Sequence, residues 1–291
     1  MSSISWADGI TRVRGVEFDA RLVLIDSAQT FSWEEREGAF FAPVVGRQLC
    51  LIPREGGFDL PGTHPEDQAF IGRYFDLSFD AGQVISACEG CPIAQRALRA
   101  LPGLRLLRQP PWETLVSFIT SANNNVPRIR GLIRGLIDRV GEGAFPGPER
   151  LAETGEQALR AMGFGYRAPY LIRTARMVAD GFDLEGLSDC PYEGAHRRLR
   201  ELPGVGDKVA DCVQLFSLGD RSAFPADVWV RRAMRAWFGI EKKGDIREEA
   251  LRLFGAQAGL VQQYLFHCAR TGRIPFSLEE EDVKRNVGSL G

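Results

Sequence analysis

The chain has 291 residues, 44% of them hydrophobic and 25% charged, which suits one large or roughly two to three small globular domains around a sizeable core. No stretch approaches ~18 uncharged apolar residues, which excludes a transmembrane helix, and MSSISWADGITRVRG carries no apolar h-region, so the expected location is the cytoplasm, on the nucleoid if the source is bacterial. The net charge of −2 speaks against a uniformly basic nucleic-acid binder but hides an uneven distribution.

Residues 1–92 carry seven basic and 14 acidic groups, residues 93–176 carry 13 arginines and six acids, and residues 177–291 carry 16 basic and 18 acidic groups. A cationic block therefore lies between acidic flanks. It reads either as a set of solvated helix faces or as the footprint of a polyanion.

The first 75 or so residues read as strands and turns. ARLVLID, TFSWEER, AFFAPVVG and RQLCLIPRE are short runs separated by turns bearing glycine or charge, which predicts an antiparallel sheet. PEDQAFIGRYF (65–75) predicts a short helix, with a proline and two acids before the apolar spacing. From Asp80 onward the pattern is helical: 110–122, 127–141, 147–163, 167–181, 192–202, 227–239 and 258–270. In 127–141, Ile129, Leu132, Ile133, Leu136 and Ile137 share one face. The acidic tail SLEEEDVKRNVGSLG reads as frayed. These features predict an α+β chain, with a small antiparallel β-sheet domain at 1–90 packed on a larger all-helical region at 91–291.

Six cysteines occur, Cys50, Cys88, Cys91, Cys190, Cys212 and Cys268, and in a reducing compartment they predict no disulfide framework. CEGC is a lone CxxC, read as two free thiols near a helix end. His64, His196 and His267 are scattered, so neither a metal nor a cofactor is expected.

Of the 36 basic residues only four are lysines, Lys208, Lys242, Lys243 and Lys284; the other 32 are arginines. Where a plain cation suffices this chain uses arginine, so Lys208 marks a place that needs an amine able to lose its proton. It lies in ELPGVGDKVADC (201–212), which reads helix, tight turn, helix. Pro203 stops the first helix. Gly204 and Gly206 permit the turn and leave backbone N–H groups uncovered. Asp207 opens the second helix, where an acid suits the dipole. Such a hairpin offers amides to a phosphate and grips a nucleic-acid backbone without reading sequence; the bland alternative is an ordinary turn. In the first helical turn the dipole disfavours an ammonium and favours the neutral, nucleophilic amine. Cys212, four residues on, flanks Lys208 on the same face. Asp227, in PADV, precedes a helix and reads as an N-cap, with a possible second role as a carboxylate that stabilises positive charge developing near the lysine.

LPGVGDKVADC followed by PADV resembles the motif of the helix-hairpin-helix (HhH-GPD) DNA glycosylases, and more closely their 8-oxoguanine DNA glycosylases. The resemblance spans roughly residues 15–275, through SAQTFSW, YFDL, LRLLRQPPWETLVSFITSANNNVPRI, MGFGYRAPYL and AGLVQQYLF in that order. It implies a bifunctional enzyme of base excision repair that flips 8-oxoguanine out of duplex DNA; no oligomeric interface is legible in the sequence, so a monomer away from any membrane is expected. By position, Lys208 matches the amine that attacks the sugar C1′, expels the base and forms a Schiff base, after which β-elimination cuts the strand. Asp227 matches the carboxylate that stabilises the oxocarbenium-like transition state. Cys212 and Phe266 match the two faces that sandwich the flipped base, and Gln262 the partner of its Watson–Crick edge. Asn123 matches the residue that fills the vacated stack, Arg128 and Arg167 the readers of the opposite cytosine, and Tyr166 the wedge beside it. The residue types suit these roles, while Cys212 and Phe266 also read as core, and residues 123–125 as a plain turn.

Three positions depart from the animal and yeast members. Ala28 stands where a glycine carbonyl is expected to accept from N7–H of 8-oxoguanine, Trp229 where a histidine is expected, and Ala269 where an acid is expected. They imply a pocket tuned differently and looser about the opposite base. After Cys212 only Cys268 remains, so the iron–sulfur cluster of other members is not expected. Two alternatives stand beside this reading. One is a glycosylase for another damaged base such as an alkylated purine, whose members usually lack the lysine. The other is a non-catalytic DNA-binding module, indifferent to Lys208→Gln.

Overall fold

In the computed structural model, which describes residues 2–241, 246–277 and 286–287, the N-terminal sequence forms the strands β1 (Ser3–Ala7), β2 (Ile10–Arg14), β3 (Glu34–Arg36), β4 (Ala39–Val44), β5 (Arg47–Arg54) and β6 (Gly57–Pro61). They build one antiparallel sheet in the order β1-β2-β6-β5-β4-β3. β1 and β2 join through Asp8 and Gly9, both at positive φ (54° and 74°), the turn whose twist matches that of a two-residue hairpin. Alternation along the strands buries Val13, Leu49, Leu51, Phe58 and Leu60 against Trp33, Tyr74 and Phe75. The buried Trp33 indole donates to the Tyr74 hydroxyl (2.9 Å), so no N–H is stranded in this core.

One expected strand is helical. ARLVLID forms a π-helical turn, Leu22–Asp26. An apolar run of this length does not distinguish a strand from a buried helical turn. Here Asp19 decides, because its side chain accepts from the Leu22 N–H (2.9 Å) and its carbonyl from the Val23 N–H (2.9 Å), closing the first turn.

The body is helical: α1 (Asp67–Tyr74), α2 (Gly82–Ala87), α3 (Pro92–Ala100), α4 (Pro111–Ser121), α5 (Val126–Arg139), α6 (Pro148–Thr154), α7 (Glu156–Ala161), α8 (Ala168–Ala179), α9 (Tyr192–Leu199), α10 (Asp207–Val213), α11 (Val228–Phe238), α12 (Ile246–Phe254) and α13 (Ala258–Thr271). The chain is thus α+β, a small sheet packed on a larger helical body. The helix expected over 147–163 is broken at Gly155, which takes φ 79° between α6 and α7. In α5 the five apolar residues of the expected face are all buried. Their burial contributes on the order of 10 kcal/mol before the entropy of ordering is subtracted. Asn286, in the tail read as frayed, is buried; it accepts from the Ile93 N–H (3.1 Å) and donates to the Trp237 carbonyl (2.9 Å). Lys242, Lys243, Lys284 and most of that tail lie outside the described residues. No helix among the described residues is long and apolar enough to cross a membrane.

Sheet side and helix side are joined by buried amides. Gln29 accepts from the Leu107 N–H (2.8 Å), and its carbonyl accepts from the Gln109 side chain (2.7 Å). Gln263 of α13 donates to the Ser27 carbonyl (2.7 Å). α13 also passes close to the chain before α11. The Gly259 N–H donates to the Arg221 carbonyl (2.7 Å), and a Cβ at 259 would stand 2.3 Å from the Ala223 carbonyl oxygen. Gly259→Ala is therefore expected to lower the unfolding free energy by about 2–3 kcal/mol, read as a lower denaturant midpoint at unchanged slope.

Candidate active site

The hairpin forms as the sequence predicts, but its two glycines serve different ends. Gly204 has φ 82°, and a Cβ there would stand 2.8 Å from the Tyr170 Cβ, so only glycine makes this turn. Gly206 has φ −100° and open space around it; the turn itself does not require glycine there. Its contribution is an N-cap position with no side chain over the first amides of α10.

Lys208 and Cys212 from α10, Asp227 at the start of α11, Trp229, Gln262 and Phe266 from α13, and Ala28 from the sheet side line one cavity of about 330 Å³. The Lys208 amine donates to Ser121 Oγ (3.0 Å) and lies 4.9 Å from the centre of the Phe118 ring. A hydroxyl and an aromatic face of α4 thus locate the nitrogen. Burial pushes the Cys212 thiol up to about 12, against the opposing charge of Lys208, so a neutral thiol stands beside the amine. Asp211, the other neighbour on α10, turns away. It accepts from the Tyr192 hydroxyl (2.6 Å), and burial pushes it up to about 6.

Asp227 is an N-cap: Oδ1 accepts from the N–H groups of Trp229 (2.9 Å) and Val230 (2.8 Å). Burial raises its pKa, while the Val230 amide, the charge of Lys208 and the Trp229 amide oppose the rise. Lys208 and Asp227 line the same cavity, and Oδ2 takes no part in the cap. Gln262 is 3% exposed. Its Nε2 donates to the Pro225 carbonyl (3.0 Å), and its Oε1 has no partner. An unpaired buried acceptor costs roughly 1–3 kcal/mol, which an N–H of a bound base would offset. Ala28 takes φ 57°, a left-handed conformation that burdens a residue with a Cβ by about 1–2 kcal/mol. Ala269 is buried in the core and does not line the cavity. Phe118, Ser121 and Arg270 also line the cavity; sequence reasoning missed them, and the sole local signal was the spacing of Phe118 and Ser121 on one face of α4.

The remaining predicted residues gather at one rim rather than inside. Residues 123–125 do form the turn between α4 and α5: Asn125 caps α5 by accepting from the Arg128 N–H (3.0 Å). Asn123 is exposed at φ 48°, and its amide donates to the Tyr166 hydroxyl (3.3 Å). That hydroxyl donates in turn to the Ala122 carbonyl (3.1 Å). Arg128 is exposed and donates to the Gly163 carbonyl (3.1 Å). Arg167 is only 3% exposed. It donates to the carbonyls of Ala122 (2.8 Å) and Asn123 (2.9 Å) and lies 4.4 Å over the Tyr166 ring. Arg167 thus shapes the turn that presents Asn123.

Comparison with known proteins identifies the family. The model of the HhH-GPD superfamily base excision DNA repair proteins matches residues 116–255, and that of the 8-oxoguanine DNA glycosylase N-terminal domain matches residues 11–115. A probable N-glycosylase/DNA lyase of Methanothermobacter thermautotrophicus is 34% identical across 82% of this chain and 88% of its own. The chain belongs to the HhH-GPD superfamily. Among solved structures, the Clostridium acetobutylicum 8-oxoguanine glycosylase/lyase, bound to double-stranded DNA with cytosine opposite 8-oxoG, is 31% identical. It superimposes with a TM-score of 0.87 over 94% of this chain and 99% of that one. A 3-methyladenine DNA glycosylase from Archaeoglobus fulgidus, at 20% identity and a TM-score of 0.75, shares the fold alone. Within this HhH-GPD chain the cavity is made at a junction: Ala28 comes from the segment matching the N-terminal domain, and the hairpin, Lys208 and Asp227 from the segment matching the superfamily core.

Proposed function

We propose that this chain is a bifunctional DNA glycosylase and abasic-site lyase that excises 8-oxoguanine from duplex DNA in base excision repair. The observation that carries the reading is one cavity in which an amine, a carboxylate and a base-sized slot meet. The flipped purine lies between the neutral Cys212 thiol and the Phe266 ring, and Gln262 Oε1 accepts from its Watson–Crick edge. The Lys208 nitrogen forms a bond to C1′ as the C1′–N9 bond breaks, the electron pair leaving with the base, which takes a proton. Asp227 stabilises the positive charge that develops on the sugar. The bonded nitrogen then passes one proton to solvent, the C1′–O4′ bond breaks as O4′ takes a proton, and the resulting protonated imine acidifies C2′–H; solvent takes that proton as β-elimination breaks the C3′–O bond and expels the 3′ phosphate. The hairpin holds the backbone through the amides beside Gly204 and Gly206, and Asn123, Tyr166, Arg128 and Arg167 address the opposite strand. Every group invoked comes from one chain, which supports a monomer as the acting species.

The alkylated-purine reading is the weaker one, since Lys208 would have no task in simple base hydrolysis. Single-turnover excision from duplexes carrying 8-oxoguanine or guanine opposite cytosine tests the assignment, and equal rates on the two would overturn it. With Ala28 and Trp229 on the wall and no acid at Ala269, excision opposite A, G or T is expected within about tenfold of that opposite C. A strict preference for C would show that these three residues do not loosen selection.

A further inference from the structure

The π turn Leu22–Asp26 ends in carbonyls that it cannot satisfy itself, and those from 22 to 27 are all taken. Leu22 accepts from the Ser27 N–H (2.8 Å). Val23 accepts from the Ser27 hydroxyl (2.8 Å) and the Gln29 amide (3.3 Å). Arg130 of α5 donates through Nη2 to the carbonyls of Leu24 (3.4 Å) and Ile25, and through Nη1 to that of Trp33 (3.0 Å). Arg270 of α13 donates to the Asp26 carbonyl, and Gln263 to that of Ser27. The next residue is Ala28, on the cavity wall at φ 57°, and none of these donors reaches its carbonyl.

We propose that Arg130 and Arg270 are positioning residues that clamp this turn so that the Ala28 carbonyl is held against the flipped base, a proposal that rests on the base-pocket reading above. Two physical features favour a positioning role over simple cover. First, partial burial lowers the pKa of both guanidinium groups, the charge of Asp26 opposes the fall in both and that of Asp227 in Arg270, and the charge of Arg270 deepens it for Arg130. Half-burying two cations here is unfavourable, and apolar residues of similar volume often stabilise desolvated charged sites as well. Neutral amides already serve Val23 and Ser27, so capping alone does not call for charge. Second, the planar fork of Arg130 ties carbonyls inside the turn, Leu24 and Ile25, to that of Trp33 beyond Ala28, which fixes orientation as well as position. The chemistry served is discrimination at N7, which carries a proton in 8-oxoguanine and a lone pair in guanine. A carbonyl at a fixed place accepts from the first and repels the second.

Removal of a preformed abasic site needs no base in the pocket, and this separates the clamp from general stability. In Arg130→Met, single-turnover excision of 8-oxoguanine opposite cytosine is expected to fall at least about tenfold while incision of an abasic site in the same duplex stays within about twofold. Arg130→Lys, which keeps the cation but not the fork, should recover part of the excision rate. Amide hydrogen exchange of residues 27–29 should quicken at least about tenfold in both Arg130→Met and Arg270→Met. Parallel loss of both activities, loss of neither, or unchanged exchange would each overturn the clamp. Should the methionine variants fail to fold, Arg130→Lys and Arg270→Lys decide by the same exchange and excision-to-incision comparison. A native protein that incises abasic DNA yet leaves 8-oxoguanine in place would count against the base assignment instead, and exchange would still judge the clamp.

Discussion

Lys208→Gln is expected to abolish borohydride trapping on 8-oxoguanine duplexes and to slow base excision by roughly 10³-fold or more. Glutamine is close in length and can still donate to Ser121 Oγ, which the native amine does at 3.0 Å, so the cavity stays filled and DNA binding is expected to persist. What disappears is a nitrogen lone pair able to bond to carbon. Lys208→Arg sharpens the test, because it restores a cation over the Phe118 ring without restoring a nucleophile. A trapped adduct with either variant, or native excision rates with arginine, would remove Lys208 from the covalent step and leave the cavity without an explanation for its amine.

Asp227→Asn is expected to divide stability from chemistry. Asparagine is as good an N-cap as aspartate, so the two bonds to the Trp229 and Val230 amides survive, and stability should change by less than about 0.5 kcal/mol. Excision should nevertheless fall by about 10²–10³-fold, because a neutral amide does not stabilise a developing cation as a carboxylate does. The pH dependence follows in sign. Burial raises this carboxyl above its ordinary value, so the rate should be lost as pH falls through the raised pKa, on an acid limb displaced to higher pH that the asparagine variant lacks. For stability the direction is opposite. A raised folded pKa means that the favourable contribution is present below the unfolded pKa and is lost as pH rises through the folded one. At neutral pH the asparagine variant should therefore melt no lower than the native protein. A variant that loses stability and activity in proportion would reduce Asp227 to its capping role.

The legible parts of this protein were those encoded locally. The hairpin was readable because Pro203, Gly204 and Asp207 act on their own few residues, and the α5 stripe because helical spacing brings Ile129, Ile133 and Leu136 to one side. Gly206 leaves amides uncovered as its residue type implies, but the turn does not draw on its conformational freedom, since composition does not report φ. The apolar run 20–26 hid its helical character, which Asp19 imposes from outside the run. Contacts between distant residues that the resemblance does not name were out of reach. The bond from Lys208 to Ser121 spans 87 positions and that from Arg270 to Asp26 spans 244; neither follows from local pattern, because each exists only once the helices pack.

One residue of the cavity wall, Ala28, belongs to the segment matching the N-terminal domain, whereas the groups proposed to break and form bonds stand on the helical side. One contact proposed to select the base, at Ala28, thus lies apart in sequence from the reactive pair, while Cys212, Gln262 and Phe266 share the helical side with it. Mutations near position 28 can drift toward new lesions without disturbing the reactive pair, which gives natural variation or directed evolution a place to explore substrate range at little risk to turnover.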